Sequence, residues 1–452
     1  MRRRVARCAL VAACLLTLAG CGAAQAGSGR SAGPSERALA GTRTDAAATD
    51  DPGDGRAPTA REVRAMDALV TVAERIRGLR FVRPVRIRVQ SAAAIRESLS
   101  REMEDDELLE SRDLYVALGL LAPDIDVREL LLRVLGEQVV GYYDTKHARL
   151  VVREDVIGAL VRARQRSPDA IDEGGMVLVH ELVHALQDQA LGLGASYELE
   201  RTIDEANAFH ALVEGDATLA MIGYLAERAG GDLTRLTNHP DVLRGALESG
   251  PAQAGSEELM SAPAIVRIPL LSAYFDGLLF CANLHARRAW PGVNRAYTAL
   301  PASSEQVLHP NRFARGELPE HITLPAMPEL DAAGVSTVTE DTIGELELSV
   351  YFGLALPGAE AKQAADGWAG DRLRVVRDGS GTLGAIWFTA WDTVPEAVEA
   401  EAAAQRVMDA VPAAERASFA VAREGRSVLM LRRLLPALHA ELLRAFVANA
   451  AH

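Results

Sequence analysis

The chain has 452 residues, 49% of them hydrophobic, which is enough for two or three domains with a sizeable core. Its formal charge is −14, from 62 acidic and 48 basic residues. An acidic body repels phosphate and no broad basic stripe interrupts it, so nucleic acid is excluded as an expected partner.

Residues 1–21 read as an export signal. Arg2, Arg3 and Arg4 form a positive start, and Ala9 to Leu18 form an apolar run too short to span a bilayer. Leu18-Ala19-Gly20-Cys21 then resembles the lipobox of bacterial lipoproteins. That resemblance implies cleavage before Cys21, a lipid on its sulfur, and an exported chain held at the cell envelope through a membrane anchor. Cleavage after Ala24-Gln25-Ala26 is the alternative and gives a free secreted protein. Of the other cysteines, Cys8 and Cys14 fall in the signal, which leaves Cys281 alone in the mature chain. No disulfide is expected, and Cys281 reads as a small buried hydrophobe.

Residues 22–58 are rich in small and polar residues without apolar period and read as a flexible tether, with order from about Thr59. Residues 61–78 carry apolar side chains at helical spacing. Residues 81–89 alternate as a strand, and 92–120 read as one helix with an acidic, solvated run at Glu102 to Glu107. After a helix at 127–135, two β-rich runs, 139–144 and 148–153, flank a polar turn as a hairpin. Helices follow over 156–165, around residue 180, and over 200–228. Residues 241–300 are mostly helical, with breaks expected at Pro263 and Pro269. No segment after the signal is expected to be long and apolar enough to form a transmembrane helix. Residues 335–452 read as a separate α+β module with helices at 344–354, 361–368, 394–408 and 437–448 and strands at 373–377, 383–391 and 428–431.

His180-Glu181-Leu182-Val183-His184 is the sharpest motif. Histidines four apart on a helix leave the same face one turn apart, so both imidazoles can reach one zinc ion. Glu181 lies beside the first ligand, where a carboxylate can take a proton from a metal-activated water and pass it on. The flanks, Met176 to Val179 and Ala185-Leu186, are apolar, as befits a helix at the floor of a cleft.

The third ligand sorts the type. A histidine six residues after His184 is absent, because that position is Ala190. The motif therefore resembles the gluzincin metallopeptidases, in which a glutamate of the next helix completes the zinc site. The resemblance implies a zincin domain whose edge strand binds a peptide or protein substrate by strand addition. Glu205 and Glu214 are both candidate ligands. Gly215 favours Glu214 by allowing close approach to the motif helix. The other acid, or Asp216, is a candidate for orienting a histidine. Tyr274, His309 and Tyr142 are candidate donors to the reaction's oxyanion.

His184-Ala-Leu-Gln-Asp-Gln, Glu214-Gly-Asp-Ala, the run from Ser303 to Pro310 and the run from Gly367 to Arg372 resemble segments of uncharacterised bacterial and archaeal surface proteins. The expected fold is α+β: a mostly helical zincin-like domain over 59–330 with a small sheet or hairpin, followed by the module over 335–452. The expected activity is zinc-dependent peptide hydrolysis at the cell envelope, with Zn2+ as cofactor. A zincin fold kept for binding or assembly, and hydrolysis of a cell-wall amide, are the alternatives.

Overall fold

The computed structural model describes residues 44–45, 55–136, 139–167, 173–249 and 257–450. The expected export signal and Cys21 lie outside the described residues, as does most of the expected tether. Two points of the 22–58 stretch join the fold. Strand β1 (Thr44–Asp45) pairs parallel with β2 (Val85–Gln90), and Arg56 bridges to Val89. Arg56 also pairs with Glu62 at 2.9 Å. Glu62 closes the capping box with Thr59 that starts the first helix, Ala60–Arg77. Backbone pairing thus begins before Thr59.

The α+β class holds, with helices around two small sheets. The first sheet runs β1-β2-β4-β3, where β3 (Gly141–Asp144) and β4 (Arg149–Arg153) form the expected hairpin. Asp144 holds its turn by accepting from the His147 N–H at 3.0 Å and the Arg149 Nε at 2.9 Å. Strand β3 is the edge of this sheet. The single helix expected over 92–120 is two, Ala92–Glu102 and Asp105–Leu118. The acidic run falls at the junction. Asp105, Asp106 and Glu107 occupy the first turn of the second helix, where the helix dipole favours negative charge.

Three helices build the centre of the molecule: Glu173–Leu191, which carries the motif, Ile203–Arg228, and Ala264–Ala296. The second starts at a capping box formed by Thr202 and Glu205. The third corrects two expectations. Pro263 precedes it as N-cap, but Pro269 lies inside it; the interruption is a kink at Arg288–Ala289. Because the helix runs through Pro269 for 33 residues, it is long and apolar enough to cross a membrane by length and composition. It nonetheless packs as a core helix, with Leu278, Phe280, Cys281 and Leu284 sharing a buried cluster with Phe209, Leu212 and Val213 of the Ile203–Arg228 helix. Cys281 is buried and free, its Sγ 3.6 Å from the Leu212 carbonyl.

Gly215 and Gly277 mark where these two helices meet. A Cβ on Gly215 would lie 2.1 Å from the Gly277 backbone, and one on Gly277 would lie 2.2 Å from the Ala211 carbonyl oxygen. Gly215 therefore serves the crossing with the long helix, not the expected approach to the motif helix.

The second sheet is antiparallel, in the order β5-β6-β7-β9-β8. Its strands are β5 (Ser336–Asp341), β6 (Trp368–Arg377), β7 (Leu383–Trp391), β8 (Ala420–Glu424) and β9 (Ser427–Arg432). Alternate residues serve two cores. Ala385, Trp387 and Trp391 face one, while Ile386 and Phe388 face the other with Leu442 and Phe446 of the last helix. The first of these cores also takes in Leu114, Ala117 and Leu118 from the Asp105–Leu118 helix. The module expected from 335 onward is thus completed by a helix that precedes the motif.

The same module caps the Ile203–Arg228 helix. Asp341 Oδ1 accepts from the Ile203 N–H at 3.0 Å, and the Thr342 carbonyl accepts from the Asp204 N–H at 3.1 Å. Asp204 in turn accepts from the Ser304 N–H at 2.8 Å and fills the space beside Gly344, whose left-handed φ of +79° only glycine adopts freely.

Candidate metal centre

The motif helix presents His180, Glu181 and His184 on one buried face, each at most 5% exposed. Glu214 comes to meet them from the Ile203–Arg228 helix. Its Oε2 lies 3.1 Å from His180 Nε2 and 3.5 Å from His184 Nε2, and the two Nε2 atoms are 3.1 Å apart. Three donor atoms therefore outline a triangle. A tetrahedral zinc with bonds of about 2.0–2.1 Å needs donor separations of roughly 3.3–3.4 Å, so the triangle is close to that size. Glu205, the alternative ligand, is not brought to the site. It is exposed, and its carboxylate closes the capping box by accepting from the Thr202 N–H at 2.8 Å.

The electrostatics follow from the burial of these charges. Burial pushes Glu181 up to about 8. Burial also acts on Glu214, but the two imidazoles outweigh it and hold that carboxyl well below its ordinary range. Burial lowers His180, whereas for His184 the pull of Glu214 and Glu181 prevails and raises it to about 9. The same atoms suit a divalent cation, since two imidazole nitrogens and one carboxylate oxygen form the ligand set of a His2Glu zinc site.

Glu181 is fixed by the edge strand. Its Oε2 accepts from the Tyr143 N–H of β3 at 3.0 Å. Tyr143 donates its hydroxyl to Asp188 at 2.7 Å, so β3 is tied to the motif helix at two places two turns apart. The carboxylate of Glu181 also lies within 4.8 Å of the histidine ligand atoms.

The candidate oxyanion donors separate. The Tyr274 ring stacks on His180 at a centroid distance of 6.0 Å, positioned one turn before the Gly277 crossing. Tyr142 belongs instead to a buried apolar cluster with Ile95, Leu99 and Leu259. His309 is drawn to the seam with the second sheet, where its Nε2 meets Glu345 at 2.9 Å and Asp366 at 3.5 Å.

Asp216 does not touch a histidine, contrary to one expected role. It is fully buried beside Arg77, with Oδ1 2.6 Å from Arg77 Nε, and it accepts from Tyr297 and Gln187. Gln187 is the residue that meets His184, with Oε1 2.8 Å from Nδ1. In the sequence Gln187 stands out only as part of the run His184-Ala-Leu-Gln-Asp-Gln. Its position three residues after His184, on the same helix face, was the available signal. Arg77 and Tyr297 lie 139 and 81 residues from Asp216 and give no local signal.

Residues 333–438 are similar to a family model described as a domain of unknown function, DUF8575. This stretch begins where the second sheet begins and contains none of the residues around His180. No curated protein and no solved structure matches the chain.

Proposed function

We propose that the chain is a zinc-dependent peptidase, with the metal held by His180, His184 and Glu214 and with Glu181 as general base. The observation that carries this reading is the triangle of Nε2, Nε2 and Oε2 atoms, 3.1, 3.1 and 3.5 Å on its sides, with the Glu181 carboxylate within 4.8 Å of the histidine ligand atoms. Two imidazoles and two carboxylates gathered around one buried point are a donor set that suits a bound divalent cation. Zinc, when bound, supplies a Lewis acid that brings the pKa of a coordinated water to about 7.

The chain's own residues do the rest. Glu181, oriented by the Tyr143 N–H and set beside both histidines, is the group we assign to move a proton from water to the leaving amine. The edge position of β3 suits an extended peptide laid alongside it. Tyr274, whose ring stacks on His180, is the group we assign to donate to a developing oxyanion. The export signal and Cys21 support a cell-envelope location with a lipid anchor.

The test is zinc stoichiometry by mass spectrometry on the purified protein, together with peptide-library cleavage by wild type and Glu181→Gln. One zinc per chain, and cleavage lost only in the variant, supports the reading. Stoichiometric zinc without cleavage of any peptide sinks it, and a parallel peptidoglycan digest then identifies a cell-wall amidase.

A further inference from the structure

Gln187 has an unusual set of neighbours for an amide. Its Nε2 donates to the Val213 carbonyl at 3.0 Å and to Asp216 Oδ2 at 3.0 Å. Both partners accept: one is a backbone carbonyl, and the other is a carboxylate that pairs with Arg77 at 2.6 Å and 3.0 Å and also accepts from the Tyr297 hydroxyl at 2.9 Å. The amide therefore cannot turn over. A flipped Gln187 would point its oxygen at two oxygens and strand both of its protons. Oε1 must face His184 Nδ1, at 2.8 Å, and it can only accept.

We propose that Gln187 is a positioning residue which, locked by the Asp216–Arg77 pair, keeps a proton on His184 Nδ1 and so leaves Nε2 as the nitrogen given to the metal. The geometry stands without the metal; its purpose rests on the zinc reading above. A carboxylate is the commoner partner of a metal-bound imidazole. Here a carboxylate at 187 would face Asp216 and the Val213 carbonyl with nothing to donate, so this chain needs the amide. The buried ion pair acts on His184 through one intervening side chain, which explains why Asp216 stands near the site without touching either histidine.

The experiment uses the full chain labelled with [15N]histidine, metal-free and zinc-loaded, with His184 assigned by His184→Gln. A slowly exchanging proton coupled to His184 Nδ1 is expected in both states of the wild type. Gln187→Met, close in volume but without hydrogen bonds, is expected to lose that protection and to bind zinc about 10–100-fold more weakly in a chelator competition. Gln187→Glu is expected to weaken zinc by at least as much. If the Met variant does not fold, the Glu variant carries the comparison.

A wild-type His184 without a proton on Nδ1 overturns the proposal whatever the variants do. So does a folded Gln187→Met that keeps both the protected proton and the wild-type zinc affinity. Failure of the wild type to bind zinc would remove the peptidase reading, while the proton on Nδ1 would still judge the positioning role.

Discussion

His180 Nε2 and Glu214 Oε2 lie 3.1 Å apart, although 34 residues of chain separate them. The contact joins two helices whose starts and crossings are set by quite different parts of the sequence. Substitutions at those parts therefore give distinct outcomes.

Glu214→Ala removes one corner of the donor triangle and leaves two buried imidazoles without their counter-charge. Zinc is expected to be lost at concentrations that saturate the wild type. Glu205→Ala should keep zinc and lose only a capping contribution, about 1 kcal/mol of stability. A chelator titration and thermal melts of both variants check this. Zinc lost from Glu205→Ala alone would reverse the assignment.

Glu181→Gln retains an oxygen for the Tyr143 N–H and so should preserve fold and metal. Peptide cleavage is expected to fall by about 10²–10⁴-fold, the usual contribution of a general base. Tyr274→Phe keeps the ring against His180 but removes the hydroxyl, and a fall of about 10²–10³-fold in kcat is expected if that hydroxyl meets the oxyanion. Steady-state kinetics on a cleaved peptide measures both. An unchanged kcat in Tyr274→Phe passes the donor role to another group.

Gly215→Ala forces a Cβ to within 2.1 Å of the Gly277 backbone unless the helices part. A loss of roughly 1–3 kcal/mol is expected, in the range of overpacked cores. Gly245→Ala is the control, because nothing lies within 4 Å of its added Cβ on an exposed helical turn. That change should be neutral or stabilising by up to about 1 kcal/mol. Denaturant melts of the two variants should move in opposite directions.

Burial pushes Asp204 and Glu347 up to about 8 at the seam between the central helices and the second sheet. In the unfolded chain both titrate near 4. Between about pH 4 and pH 8 the folded state therefore binds more protons, and stability falls as pH rises through that window. The contribution is complete below pH 4 and gone above about pH 8. Asp204→Asn keeps an oxygen for the Ser304 N–H, so it should flatten the decline and raise Tm at pH 8 by about 2–4 °C. A Tm at pH 8 that falls in the variant would contradict this expectation.

Much of this was legible in the sequence. The spacing of His180 and His184 names a shared helix face, and the absence of a histidine at Ala190 points to a glutamate. Glu214 was favoured for its neighbour Gly215, and the structure places it at the histidines, but Gly215 meets the long helix instead. Strand β7 reads directly from its apolar run, whereas β5 and β8 are short edge-side strands with polar residues and escaped notice. Pro269 misled because a local rule for proline was overridden by the packing of the helix's 278–284 face against the Ile203–Arg228 helix. The Arg77–Asp216 pair and the cap from Asp341 were invisible, since nothing local marks a partner more than a hundred residues away.

That last cap also orders events in time. During synthesis the residues of the donor triangle are all made by Glu214, but the groups that satisfy the first backbone N–H groups of its helix arrive only with Asp341 and Thr342. The Asp105–Leu118 helix likewise waits for the second sheet to cover it. The metal pocket is therefore expected to mature late, once the end of the chain has emerged. If the chain is exported and binds zinc as proposed, the delay would keep it threadable until it has left the compartment where it was made. Limited proteolysis of a chain ending at residue 332 checks it, and a truncated chain that resists the protease and holds zinc would contradict it.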